Sequence, residues 1–362
     1  MSAAMRHIRQ MAAHRPTLED IALLLVAALG GWALHFAGVP AGWLTGSMLV
    51  VAVVGLRRPW AGPSDAVVQT GMLLSGIIIG AAATPEAIQA AARYPGSLML
   101  LLLSLGLTVL VTGAFLVRFG GWTRLDALLA SAPGALSAVM AVASDLGSSL
   151  SRIAIIQFFR LFVLVAAIPS LLVISGVGAG QAPAPPPPPN LPDTVLMIAC
   201  ALAAGLLLKR LGLVAPFIIG ATLSSMLLHA FDIVHGSLPA PLTLLAFLIL
   251  GGMVGARLGG LDRAAVGRLM PLAIGAFIAS VAIGALLAWP AALLAGVSYG
   301  TAFIAFAPGG LEAMAMLAVV LGLDPLYVGA HHLVRFMAVG FLLPIAARLL
   351  CKPRHDEPHA GQ

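Results

Sequence analysis

The chain has 362 residues, of which 60% are hydrophobic and only 9% charged, against about 25% charged in a soluble domain; its mean hydropathy is +1.06. Apolar runs near the ~20 residues that cross a bilayer recur from residue 21 to residue 350, which excludes a soluble enzyme and describes an all-α polytopic membrane protein. The net charge of +6 then reads as loop charge that orients helices, not as a nucleic-acid surface.

In chain order, Arg6, Arg9 and Arg15 precede an apolar segment at 19–38. It is long and lacks a small-residue cleavage site, so it reads as an uncleaved first span. Further apolar segments lie at 41–56, 66–83, 96–118, 125–143 and 152–177. The run AGQAPAPPPPPNLP at 179–192 cannot continue a helix and reads as a semi-rigid polyproline spacer, with an SH3- or WW-type ligand as the alternative. A second set follows at 193–208, 213–230, 238–256, 269–288, 298–320 and 326–350. The division that results is a first membrane repeat at 1–178, the linker at 179–192, a second repeat at 193–354 and a polar tail at 355–362. Cys200 and Cys351 offer no disulfide framework.

The two sets are copies. APGALSAVMAVASDLG, from Ala132, matches APGGLEAMAMLAVVLG, from Ala307, at an offset of 175, which also pairs Arg160 with Arg335 and Pro169 with Pro344. Gly76-xxx-Gly80 falls on Gly251-xxx-Gly255, a pattern that reads as close helix-packing seams. Twelve full spans would put ten Lys/Arg inside and seven outside. If 125–143 and 298–320 instead enter and leave on one side, sixteen lie inside and only Arg93 outside, with Arg160 and Arg335 embedded. Each half then has five spans and one re-entrant or broken element, about ten spanning helices in all, and an odd crossing number inverts one repeat relative to the other. Both termini would be cytoplasmic.

Pro133-Gly134 and Pro308-Gly309-Gly310 break apolar segments. Backbone freed in hydrocarbon must face protein or a wet cavity, so the breaks mark the candidate site, with Ser131, Ser137 and Glu312 beside them. Glu312 is costly to bury unless protonated, paired or near water, and is the candidate proton carrier. Arg160 and Arg335 lie too deep to snorkel, with Gln157 and His332 three residues before them and His331 four before Arg335. A buried arginine suits an anionic solute, although an internal clamp on Asp145, Asp324 or Glu312 is the competing role. His331 and His332 are the other candidates for titration. No metal cluster, cofactor fingerprint or nucleophile-plus-base motif is present in the sequence; the tail His355 to His359 could hold a metal only loosely.

The copies GWLTGSM, SAPGALSAVMAVASDLG and IQFFRLFVLVAAIPSLL, with PFIIGATL, FAPGGLEAMAMLAVVLGLDP and HHLVRFMAVGFLLP, resemble the bacterial membrane AbrB family over residues 20 to 350. The resemblance implies an inner-membrane protein of two such modules, with a family label of gene regulation and an older label of ammonia monooxygenase. Neither label supplies catalytic residues, and the segments outside the bilayer are too short for a DNA-binding element. The expectation is therefore a secondary transporter of a small anionic organic solute, not an enzyme and without cofactor. Its partners would be the solute, the lipid bilayer and, as an option, a second copy of the chain, with no direct nucleic acid. The alternative is a membrane sensor that affects gene expression indirectly. Rocking of one repeat against the other would give alternating access.

Overall fold

A computed structural model describes residues 18–57, 62–83, 91–134, 136–174, 190–213, 215–259 and 261–350, together with Gln89 and Gly176. Most of the proline linker, the first arginines and the histidine tail lie outside the described residues, as does the side chain of Ser137. Every regular element among the described residues is a helix. The first half contains α1 (Leu18–Phe36), α2 (Gly42–Arg57), α3 (Asp65–Gly80), α4 (Tyr94–Gly120), α5 (Arg124–Ser131), α6 (Leu136–Asp145) and α7 (Leu150–Ile174). The second repeats that order as α8 (Leu191–Arg210), α9 (Pro216–Ala230), α10 (Ala240–Gly259), α11 (Arg263–Ala295), α12 (Tyr299–Phe306), α13 (Leu311–Val320) and α14 (Pro325–Leu350). Seven of these are long and apolar enough to cross a membrane: α1, α4, α7, α8, α10, α11 and α14. The chain is an all-α polytopic membrane protein.

Local chemistry sets the turns identically in both halves. After α4, Gly121 takes the left-handed conformation (φ 63°) and Thr123 caps α5 by accepting from the Asp126 amide. After α11, Gly296 does the same (φ 68°) and Ser298 caps α12 through the Thr301 amide. A left-handed glycine ends a helix without a Cβ clash, and a hydroxyl cap satisfies an orphan amide, so each pair forces the chain to fold back.

Helix directions show that the repeats are inverted. Helices α4 and α11 are equivalents, and they pack antiparallel: Gly96 faces Leu294, while Gly120 faces Leu272 and Gly275 faces Phe115. Repeats related by an axis along the membrane normal would run these helices in the same direction. The halves are also interleaved. Gly251 and Gly255 of α10 seat on Leu44 to Ala52 of α2, and Gly76 and Gly80 of α3 seat on Ile218 to Met226 of α9. A Cβ on Gly76 would fall 2.6 Å from the Ile218 carbonyl oxygen, and one on Gly255 2.4 Å from that of Met48. The Gly-xxx-Gly pairs are thus seams between the two halves. This corrects the expectation that one whole repeat rocks against the other, because α2–α10, α3–α9 and α4–α11 tie each half into its partner.

Both Pro-Gly segments are re-entrant hairpins. Helix α5 has 8 residues, a rise of about 12 Å, and stops near mid-depth. Helix α6 returns to the face where α5 began: the Ser149 amide donates to Asp126 Oδ1 at 3.3 Å. In the second hairpin Asp324, beyond α13, accepts from Tyr94 Oη at 3.2 Å, and Gly296, just before α12, lies beside Arg93. We call the face of Asp126 and Ser149 face A, and that of Tyr94 and Asp324 face B. Paired brackets mark the same polarity. Asp20 in the first turn of α1 accepts from the Ser64 amide (2.8 Å), and Asp193 in the first turn of α8 accepts from the His235 amide (3.2 Å).

The seams carry a direct test. Gly76→Ala and Gly255→Ala, each placing a methyl against backbone, should lower the stability of the purified protein by ~1–3 kcal/mol in thermal unfolding. Gly106→Ala, where nothing lies within 4 Å, should not.

Candidate functional site

The hairpins enter from opposite faces and their tips meet. Gly134 sits at φ 95°, and a Cβ there would lie 3.1 Å from Arg335 Nε and 3.6 Å from the Gly309 carbonyl oxygen. The tips thus bring two chain breaks, 175 residues apart in sequence, into contact at mid-depth.

The arginine and histidine of α14 hold the second break together. Arg335, 2% exposed, donates from Nη1 to the Ala307 carbonyl (2.7 Å) and from Nη2 to the Gly309 carbonyl (2.9 Å). These oxygens are among those the break strips of helical partners. His332 bonds through Nε2 to the Ile304 carbonyl at 3.0 Å. A carbonyl only accepts, so the proton is assigned to Nε2, and Nδ1 is left to accept from Arg335. Gln157 takes the same post in the first half. Its Nε2 donates to the Leu129 carbonyl (2.9 Å) while its Oε1 accepts from Arg160 Nη2 (3.3 Å). Glutamine and histidine thus do one job at equivalent positions.

A cavity of about 220 Å³ opens beneath the tips toward face A. Of the residues singled out in the sequence, Gly134, Gln157, Arg160, Pro308, Gly309, Gly310 and Glu312 line it. Ser131 and Pro133 are buried behind the first tip, the Ser131 hydroxyl donating to the Leu128 carbonyl at 3.0 Å. His331 is turned elsewhere: Nδ1 donates to the Tyr327 carbonyl (2.8 Å) and Nε2 meets Ser97 Oγ (2.9 Å) in a cluster between α4 and α14. Arg335 and His332 back the tip and do not line the cavity.

Sequence reasoning missed Arg257. As the last-turn arginine of α10 it reads as a loop charge, yet it lines the same cavity as Glu312 and lies over the Phe158 ring at 6.0 Å. Glu312 sits in the first turn of α13, whose amino end meets the cavity at Gly310 without a side-chain cap. Two guanidiniums, a helix amino terminus and one carboxylate therefore share the space. Among the described residues no carboxylate forms an ion pair with Arg160, Arg257 or Arg335, and Arg160 Nε is buried without a partner.

The fold and site define an integral membrane protein of two interleaved, inverted repeats whose re-entrant tips frame a central cavity. A family profile described as "Transition state regulatory protein AbrB" matches residues 43–351. The chain belongs to that family. It is 26% identical to "Uncharacterized protein YhjN" of Bacillus subtilis (strain 168), over 92% of this chain and 93% of that protein. It is equally 26% identical to "Putative regulator AbrB" of Escherichia coli (strain K12), over 91% and 94%.

Because Arg335 bridges two carbonyls at the break, Arg335→Gln should destabilise the folded protein by ~3 kcal/mol, measured by thermal unfolding in detergent. Arg160→Gln, which leaves the second hairpin's clamp intact, should cost clearly less.

Proposed function

We propose that the protein is a secondary transporter of a small anionic organic solute, held between the two hairpin tips. The carrying observation is the pair of arginines, Arg160 and Arg257, that line one cavity and form no ion pair with a carboxylate among the described residues. Charge left unpaired in a low-dielectric site is costly, so an entering anion gains strongly there. Backbone amides at the start of α13 add to that preference. Gln157 orients Arg160, and Arg335 with His332 keeps the second tip rigid. Glu312 is the proton carrier in this reading, since it reaches the same cavity as the anion.

Opposed re-entrant tips supply the two accesses. The cavity faces A, while on face B Ile78, Ile79 and Ala83 are buried and Ile79 packs against Gly329. The seams fix α2, α3, α9 and α10 as one frame, so the hairpins with α7 and α14 are the parts that shift. The excess of Lys/Arg that the charge count assigns to one side supports cytoplasmic termini in a bacterial inner membrane. No catalysis is assigned. A sensor that binds the anion without moving it is the second reading, favoured by the regulatory name of the relative in Escherichia coli.

Reconstituted vesicles separate the two. An inward pH gradient should drive accumulation of at least one member of a panel of radiolabelled mono- and dicarboxylates. Glu312→Gln should keep solute exchange and lose acceleration by the gradient. Saturable binding with no flux in either direction would decide for the sensor.

A further inference from the structure

The cavity beneath the tips has more apolar wall than a bare anion can use. Met72 of α3, Phe158 and Leu161 of α7, Leu250 and Met253 of α10 and Phe336 of α14 all line it. Apolar side chains thus close in from four elements. On α10 they recur at helical spacing, with Leu250, Met253 and Val254 on the face that ends at Arg257. Among the described residues, the polar side chains that line the space are Gln157, Arg160, Arg257 and Glu312.

Each kind of wall makes its own demand. A carboxylate suits the guanidinium of Arg160, whose Nε is buried without a partner. The apolar wall gains in proportion to the hydrocarbon that covers it. Inorganic anions bring none. A short dicarboxylate brings four oxygens and little hydrocarbon, so most of that wall stays uncovered. Size narrows the choice further. A dry apolar cavity of about 150 Å³ holds benzene, ~25 Å³ for each carbon. At that density the 220 Å³ here takes about nine non-hydrogen atoms, those of one ring and one carboxylate. Two thioethers and two phenyl rings in the wall suit an aromatic body, because sulfur and ring edges both pack well against a ring.

We infer that the solute is an aromatic monocarboxylate of benzoate's size, its acid group on Arg160 and its ring against Met72, Met253, Phe158 and Phe336. The class rests on the reading of this cavity as the anion site and supplies what that reading leaves open. Met72 and Met253 are then specificity-determining residues. They read the body of the solute, while Arg160 reads its charge. Acids of equal charge are told apart by the apolar wall alone.

The test is equilibrium binding of radiolabelled benzoate, acetate and succinate to the full chain in lipid nanodiscs, with empty discs subtracted. Benzoate should bind saturably, about tenfold or more tighter than either of the others. Met72→Gln and Met253→Gln keep side-chain length but place an amide in the wall. Each should lower the preference for benzoate over succinate by about fivefold or more. No benzoate binding, or succinate or acetate bound as tightly, overturns the class, as does a preference unchanged in both methionine variants. If a methionine variant does not fold, the ranking of the three acids by the parent protein decides. Flux in vesicles tests transport separately. Benzoate bound but never carried would leave the class standing and retire the transporter, whereas succinate carried without benzoate binding would retire the class alone.

Discussion

The bridge from the Arg335 guanidinium to the carbonyls of Ala307 and Gly309 is the contact on which the site depends. Backbone groups freed inside hydrocarbon need protein partners, and a helix broken at mid-depth frees several at once. A neutral side chain could reach one of these oxygens. The planar guanidinium reaches two and brings a charge that suits the carbonyl end of α12. The half-helix can therefore stop where it does, and its glycine tip can meet the tip of the other hairpin. The clamp and the site are two sides of one solution: Arg335 holds the tip while Arg160 and Arg257 face the space it leaves.

Interleaving turns that local solution into a machine with defined parts. Glycine seams lock α2 on α10 and α3 on α9 at distances that no side chain could share. The seams pack backbone against backbone, whereas the hairpins are held chiefly by side-chain clamps from α7 and α14. Inversion gives each face one hairpin, so the two faces are built from equivalent residues. The copies nevertheless differ at the cavity, where Arg257 and Glu312 align with Ala82 and Ser137 of the first half.

Much of the fold was legible because hydrocarbon imposes length and apolarity. The apolar run at 96–118 corresponds to Tyr94–Gly120, and 326–350 to Pro325–Leu350. The run at 269–288 fell short of Arg263–Ala295, since Arg263, Gly267 and Arg268 read as loop although Asp262 caps a helix there. The hairpins could be read from the charge count, which knows about sides. What each polar side chain touches could not. Gln157, His332 and Arg335 carry the chemistry of a binding site but face backbone carbonyls of their own hairpins, a distinction set by rotamer and tilt. Arg257 was hidden by the opposite error, because an arginine at a helix end looks like an anchor until the neighbouring tip places a cavity beside it.

The central claim is that an anion enters between the tips and is carried across. Uptake of a radiolabelled carboxylate that the vesicles accumulate, driven by a proton gradient, tests it most directly. Uptake is expected in the parent protein and is lost in Arg160→Gln, with the variant still folded and monodisperse. Equal uptake by the two proteins would contradict it.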